Sequence, residues 1–297
     1  MTPPGRVRTL RALAGAARPT QLLLIAGVYL LGATAAAALG GTLFTGRLLA
    51  GLAALLPVAA SVHWANEYAD YETDARTDRT PFSGGSGALH AARLGPEPAL
   101  RAAALALAVG AVLTALLATL GPLPMPAVAL LAVIALFGIE YSLGPLRLAW
   151  RGLGEVDNAL LGGLVLPAYG AAAVGGPVGR VALASVPFLL VVFLNLLATQ
   201  WPDREADAAV GKDTLVSRLS APALRRLYVA VALLAAGSLV LLWPAVLPTP
   251  VAGASLVAAP LVAWGAAGYT RRRVPLPSVA AMVVLALAQL AGWALLL

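Results

Sequence analysis

Nine apolar segments, each close to the roughly 20 residues that cross a bilayer, constrain this chain more than any other feature. They run at about 20–40, 46–66, 99–120, 125–142, 158–176, 182–201, 222–243, 248–269 and 276–296. One soluble core cannot bury that much apolar surface. Of the 297 residues, 60% are hydrophobic and 11% charged, against roughly 25% charged in ordinary soluble domains. The expectation is an all-α, polytopic membrane protein. Its nine transmembrane helices form one bundle with cytoplasmic cap loops, and residues 1–297 make a single domain. The first segment ends in small residues, Ala35 to Ala38, as a signal peptide would, but its apolar run continues to spanning length. Cysteine is absent, which excludes a disulfide framework, a thiolate metal site and a cysteine nucleophile.

Charge sets the orientation. Alternating the loops places residues 1–18 and the loops after the second, fourth, sixth and eighth segments on one side. That side holds eighteen of the twenty basic residues, with only Arg47 and Arg180 opposite. The basic side is cytoplasmic, so the N-terminus lies inside and the C-terminus outside. The net charge of +7 then reports topology, and no nucleic-acid partner is expected. Twelve of the thirteen acidic residues fall at 67–78, 140–157 and 203–213, all after even-numbered segments. Orientation does not require acid there, so another task keeps it. None lies in mid-span, where an ion pathway would need it, which leaves a transporter as a remote reading.

The densest acidic stretch is Asn66-Glu67-Tyr68-Ala69-Asp70-Tyr71-Glu72-Thr73-Asp74-Ala75-Arg76-Thr77-Asp78. On a continuing helix, Asn66, Asp70 and Asp74 overshoot a turn by only about 40° per step and form one oxygen-bearing ridge. Asp203 and Asp207 repeat the four-residue spacing downstream. Carboxylates stacked so closely repel one another unless a cation sits among them. Two such ridges face to face suit a divalent metal and, through it, a polyphosphate.

In order and spacing the chain resembles the UbiA superfamily of intramembrane prenyltransferases over nearly its whole length. The first motif reads Asn66-x3-Asp70-x3-Asp74. The second reads Asp203-x3-Asp207, followed by Gly211-Lys212-Asp213-Thr214-Leu215. Between them, Tyr141-Ser142-Leu143-Gly144-Pro145-Leu146-Arg147 and Gly152-Leu153-Gly154-Glu155 resemble the family's loop after its fourth helix. The resemblance implies that Asn66, Asp70, Asp74, Asp203 and Asp207 hold Mg2+, the four aspartates being the catalytic set. It implies a polyprenyl diphosphate donor, an aromatic or quinone-precursor acceptor, and a bacterial or archaeal cell membrane with its lipid around the bundle. Magnesium commonly bridges a few carboxylates to substrate phosphates, and there it neutralises charge on a leaving diphosphate.

Around these ridges, Lys212, the only lysine, is placed to touch diphosphate. Arg147, Arg151 and Arg79 are either forked phosphate donors or orientation anchors. Tyr141 is either an acceptor contact or an interfacial aromatic. His63, one turn below the motif, reads as packed rather than as a base. The stretch Gly84-Gly85-Ser86-Gly87 is either a phosphate cradle of amides or a cap loop. The menaquinone branch, which prenylates dihydroxynaphthoate, shares the Gly152–Glu155 and Gly-Lys-x-Thr-Leu features, but it often has aspartate where this chain has Arg76. A terpene cyclase of the same superfamily would use the same ionisation, so the acceptor stays open.

Overall fold

The structure is a computed structural model that describes residues 3–297. Helices and short turns account for all the regular structure among them, apart from one isolated bridge between Thr80 and Ser83. Eight helices among the described residues are long and apolar enough to cross a membrane. The fifth expected segment is helical as well, but it is not one regular helix. It runs as Gly154–Leu160, a π-turn at Leu161–Val165, and Leu166–Ala173. Pro167 cannot donate its amide, and Gly162 and Gly163 hold the turn weakly, which explains why the α ladder breaks there. The sixth segment is likewise divided: Val178–Ala184 stops at Ser185, and the main helix Val186–Gln200 restarts around Pro187.

Ahead of the first span, within the basic stretch 1–18, the chain forms a helix, Pro3–Ala16. Ala12 is buried beside Leu89 and Ala99, with Trp64, Tyr68 and Tyr71 packed around them. The indole of Trp64 donates to Leu13 O at 2.8 Å. At Arg18 the backbone turns left-handed (φ 53°) before the first span, Pro19–Ala38. That turn aims the Arg18 side chain back under the bundle.

The second span, Thr45–Ala69, packs on the third, Glu97–Thr119, and on the fourth, Met125–Ser142. The first span packs on the fifth and on the ninth, Leu276–Ala294, which in turn lies against the sixth. The first and fifth spans touch backbone to backbone. A Cβ on Gly32 would overlap Pro167 O, and one on Gly170 would overlap Tyr29 O. Small residues permit this approach, which drives helix association where lipid supplies no hydrophobic force. Outward faces carry bare Leu and Val, such as Leu105, Val112 and Leu116 on the third span and Leu233, Val240 and Leu241 on Ala221–Leu242. Tyr29, Leu55, Tyr169 and Phe188 lie fully buried in the core.

Candidate functional site

The loops after the second, fourth, sixth and eighth spans meet at one end of the bundle. Gly84 N donates to Asp203 at 3.2 Å, Asp213 N to Trp150 O at 3.4 Å, and Arg273 to Asp78 at 3.1 Å. Below this cap lies a cavity of about 720 Å³. Asn66, Asp70, Asp74, Arg79, Tyr141, Asp203, Asp207 and Lys212 all line it.

The first ridge forms with one departure from a continuous helix. The second span ends at Ala69, Asp70 leaves the helical region (φ −94°, ψ 7°), and a short helix follows at Tyr71–Asp74. Aspartate is a weak helix former because its short polar side chain competes with the backbone. The i to i+4 bonds Asp70 N→Asn66 O (2.9 Å) and Asp74 N→Asp70 O (2.8 Å) still keep the three residues stacked. Asn66 Nδ2 donates to Asp70 Oδ2 at 2.8 Å and to Ser142 Oγ at 3.2 Å. Arg18 holds the ridge from behind, donating to Asn66 Oδ1 at 3.0 Å and to Glu67 Oε1 at 2.6 Å.

The second ridge spans a 3-10 turn, Trp201–Asp203, and the helix Arg204–Ala209. Gly211 takes φ 77°, so Lys212 N returns to Asp207 O at 2.9 Å. This is a helix stop that only glycine takes without strain. The reversal carries the Lys212 side chain between the ridges, with Nζ 2.9 Å from Asp70 Oδ1 and 3.6 Å from Asp207 Oδ1. Thr214 then caps Leu215–Arg218 by accepting from Ser217 N, while buried Glu155 accepts from Leu215 N at 2.8 Å. The Gly-Leu-Gly-Glu and Gly-Lys-x-Thr-Leu stretches therefore touch, and their contact fixes where Lys212 stands.

The glycine loop bridges both ridges. Two of its four amides are committed to carboxylates rather than free for phosphate: Gly84 N to Asp203, and Ser86 N to Glu67 at 2.8 Å. Gly85 (φ 66°) lies so close to Asp74 that a Cβ would overlap Oδ2. Arg79 lies against this loop with its guanidinium where a Cβ on Gly87 would sit. Of the cradle and cap-loop readings, the geometry favours the cap.

Charge is unbalanced here. Glu67, Asp70, Asp74, Asp203 and Asp207 surround one buried cation, Lys212, and a half-buried one, Arg18, with Arg79 at the rim. Burial and the charges of Asp70 and Glu67 push the Asp74 carboxyl up to about 7. Burial alone would lower the Lys212 ammonium, but Asp70 and Asp207 outweigh it and hold the group charged. Asp203 Oδ1 is buried with no hydrogen-bond partner. Among the described residues no three His, Cys, Asp or Glu side chains close into a ready-made metal cage.

Two expected residues do not reach the cavity. Arg147 is exposed, with its guanidinium stacked 4.2 Å over the Trp150 ring. Arg151 is also exposed, and its carbonyl accepts from Arg218. The left-handed turn at Arg147 (φ 43°) starts a 3-10 turn that points both away from the ridges. His63 lines the cavity with Nδ1 2.7 Å from Ala17 O. Residues not among those expected also line it: Arg18, Asp157, Asn195 and Gln200. Two of them had a legible signal: Arg18 as a lone arginine directly before the proline that opens the first span, and Asp157 as a member of the 140–157 acidic cluster.

An all-helical membrane bundle with two opposed acid ridges at one end of an internal cavity defines the class. The chain belongs to the UbiA prenyltransferase family, whose model matches residues 25–290. In fold it is similar to a UbiA homolog from Aeropyrum pernix K1 (17% identity, TM-score 0.70, covering 90% of this chain and 96% of that one). It is also similar to a UbiA homolog from Archaeoglobus fulgidus bound to DMAPP and Mg2+ (18%, TM-score 0.67, 96% and 98%). A digeranylgeranylglyceryl phosphate synthase is similar too (16%, TM-score 0.67, 96% and 99%). No curated protein matches the chain.

Proposed function

We propose that this prenyltransferase uses Mg2+ to ionise an isoprenoid diphosphate and passes the prenyl group to an aromatic or quinone-precursor acceptor, dihydroxynaphthoate being the first to try. The observation that carries the reading is Lys212 between Asp70 and Asp207 in a cavity with excess carboxylate. The residues fit a metal bound together with its substrate. Asp203 Oδ1 lacks a partner, buried carboxylates outnumber buried cations, and magnesium is usually held by one or two carboxylates plus phosphate oxygens. Asp70, Asp74, Asp203 and Asp207, with Asn66 beside them, would hold it. When bound, the metal neutralises charge on the departing diphosphate. Lys212 stabilises the same oxygens, and Asn66 and Arg18 keep the first ridge in register.

The lower cavity is lined by Leu24, Ile25, Val28, Leu55, Val192 and Met282, which suits a prenyl tail. A terpene cyclase would stabilise successive cations over aromatic faces. Phe82, Tyr141 and Phe188 are the Phe, Tyr or Trp residues of this lining, which favours transfer. The arginine asymmetry supports a cytoplasmic site and an external C-terminus.

The test is diphosphate release from geranyl diphosphate in membranes. Asp70→Asn and Asp203→Asn are each expected to abolish most of it while the protein still inserts, as is a chelator. Release that survives the chelator or either substitution overturns the metal–diphosphate site.

A further inference from the structure

The cavity has a second polar lining, away from the ridges, on the fifth and sixth spans. Asp157 stands in Gly154–Leu160, and Asn195 and Gln200 stand in Val186–Gln200, two helices that pack against each other. All three residues line the same cavity as Asp70 and Lys212. Each carries a buried oxygen with no hydrogen-bond partner: Asp157 Oδ2, Asn195 Oδ1 and Gln200 Oε1. Asn195 is only 8% exposed. Among the described residues, no Lys, Arg or His is paired with Asp157. Buried polar atoms are seldom left unmade because the lost hydration goes uncompensated. Three together along one cavity wall are therefore a recognition surface more readily than a packing fault. Nothing in metal or diphosphate binding uses them.

We infer that Asp157, Asn195 and Gln200 form the subsite for the prenyl acceptor and take a substrate that presents hydroxyl donors. The inference rests on the prenyl-transfer reading above. Its chemistry follows from the atoms. All three orphans are carbonyl or carboxyl oxygens, which accept hydrogen bonds. An ionised phosphate or carboxylate offers them no proton. A hydroxylated ring offers O–H groups, so its hydroxyl edge faces this wall and any carboxylate it carries points away. The position is also apt. Gln200 lies three residues before Asp203. From there to Asn195 the helix descends about 7 Å, from the diphosphate end toward the apolar part lined by Phe188 and Val192. An acceptor on this wall lies beside the stretch where a prenyl chain leaves its diphosphate.

The test is calorimetry on the full chain in nanodiscs, with Mg2+ and geranyl S-thiolodiphosphate, a donor analogue that resists ionisation. The acceptor probes are 1,4-dihydroxy-2-naphthoate and its 1,4-dimethoxy ether, which have the same charge but differ in hydroxyl donors. The dihydroxy probe is expected to bind about tenfold more tightly than the ether, the scale of one or two hydrogen bonds. Asp157→Leu and Asn195→Leu should each weaken the dihydroxy probe by a similar factor, leaving the ether and the donor analogue as in the unaltered protein. Donor-analogue binding reports that each variant is folded, and Asp157→Ala stands in if the leucine variant is not. Equal binding of the two probes, binding of neither, or variants that hold the dihydroxy probe as before would each overturn the acceptor subsite. In those cases the diphosphate reading survives, provided the donor analogue binds. Failure of the donor analogue itself would sink both.

Discussion

Lys212 is the internal counter-ion of the two ridges, and its removal is the most informative single change. Its Nζ stands 2.9 Å from Asp70 and 3.6 Å from Asp207, and all three side chains are buried. At an effective dielectric of about 20, each contact is worth roughly 5 kcal/mol of attraction, and burying the ammonium offsets several of these. Lys212→Met leaves Asp70 and Asp207 uncompensated, which should cost about 3–5 kcal/mol in the metal-free protein. The loss differs in the presence of magnesium, because a divalent cation can settle between the same oxygens. The assay is thermal unfolding in detergent at pH 7.5, with chelator and with Mg2+. The variant should melt well below the unaltered protein in chelator and recover part of the gap when Mg2+ is added. Diphosphate release should fall on the order of 10²–10³-fold even with Mg2+, as when one preorganised donor to developing charge is lost. A variant that melts with the parent in chelator would refute the counter-ion argument.

Other expectations follow from the same geometry. The Asp74 carboxyl is raised from about 3.8 to about 7, so between those values the folded protein binds more protons than the unfolded one. Metal-free stability should therefore fall as pH rises from 4 through 7. Magnesium competes with that proton, so its affinity should climb with pH up to about 7, and calorimetry in two buffers should detect protons released on binding at pH 6. An affinity flat with pH would exclude Asp74 as a ligand. Reporters fused after Gly84, Leu148 and Gly211 should all register the cytoplasm, and one at Leu297 the outside. A mixed pattern among the three loops would contradict the convergence of the cap.

The membrane bundle was legible because spanning length and charge sorting are local properties of a chain. The ridges were legible because Asp70, Asp74, Asp203 and Asp207 sit at helical spacing beside long apolar runs. Interruptions were harder to see. The π-turn at Leu161–Val165 depends on how Gly163 meets the sixth span, where a Cβ would press on Leu189 Cα. Arginine roles were the least legible, since an arginine near a helix end looks the same whether it anchors orientation or reaches a ligand. Arg147 turned to Trp150, whereas Arg18 reached Glu67 through a left-handed backbone turn. Asp157 and Asn195 carry no spacing signal; only the packing of their two helices brings them to one wall.

The central claim is that a prenyl cation formed at the ridges is captured by a second molecule. Purified protein should therefore be incubated with Mg2+ and geranyl diphosphate, with and without a hydroxylated aromatic acceptor, and the products identified by mass. The account predicts a prenylated adduct carrying the acceptor ring, formed only when the acceptor is present. A cyclic hydrocarbon made over many turnovers from the diphosphate alone would contradict it.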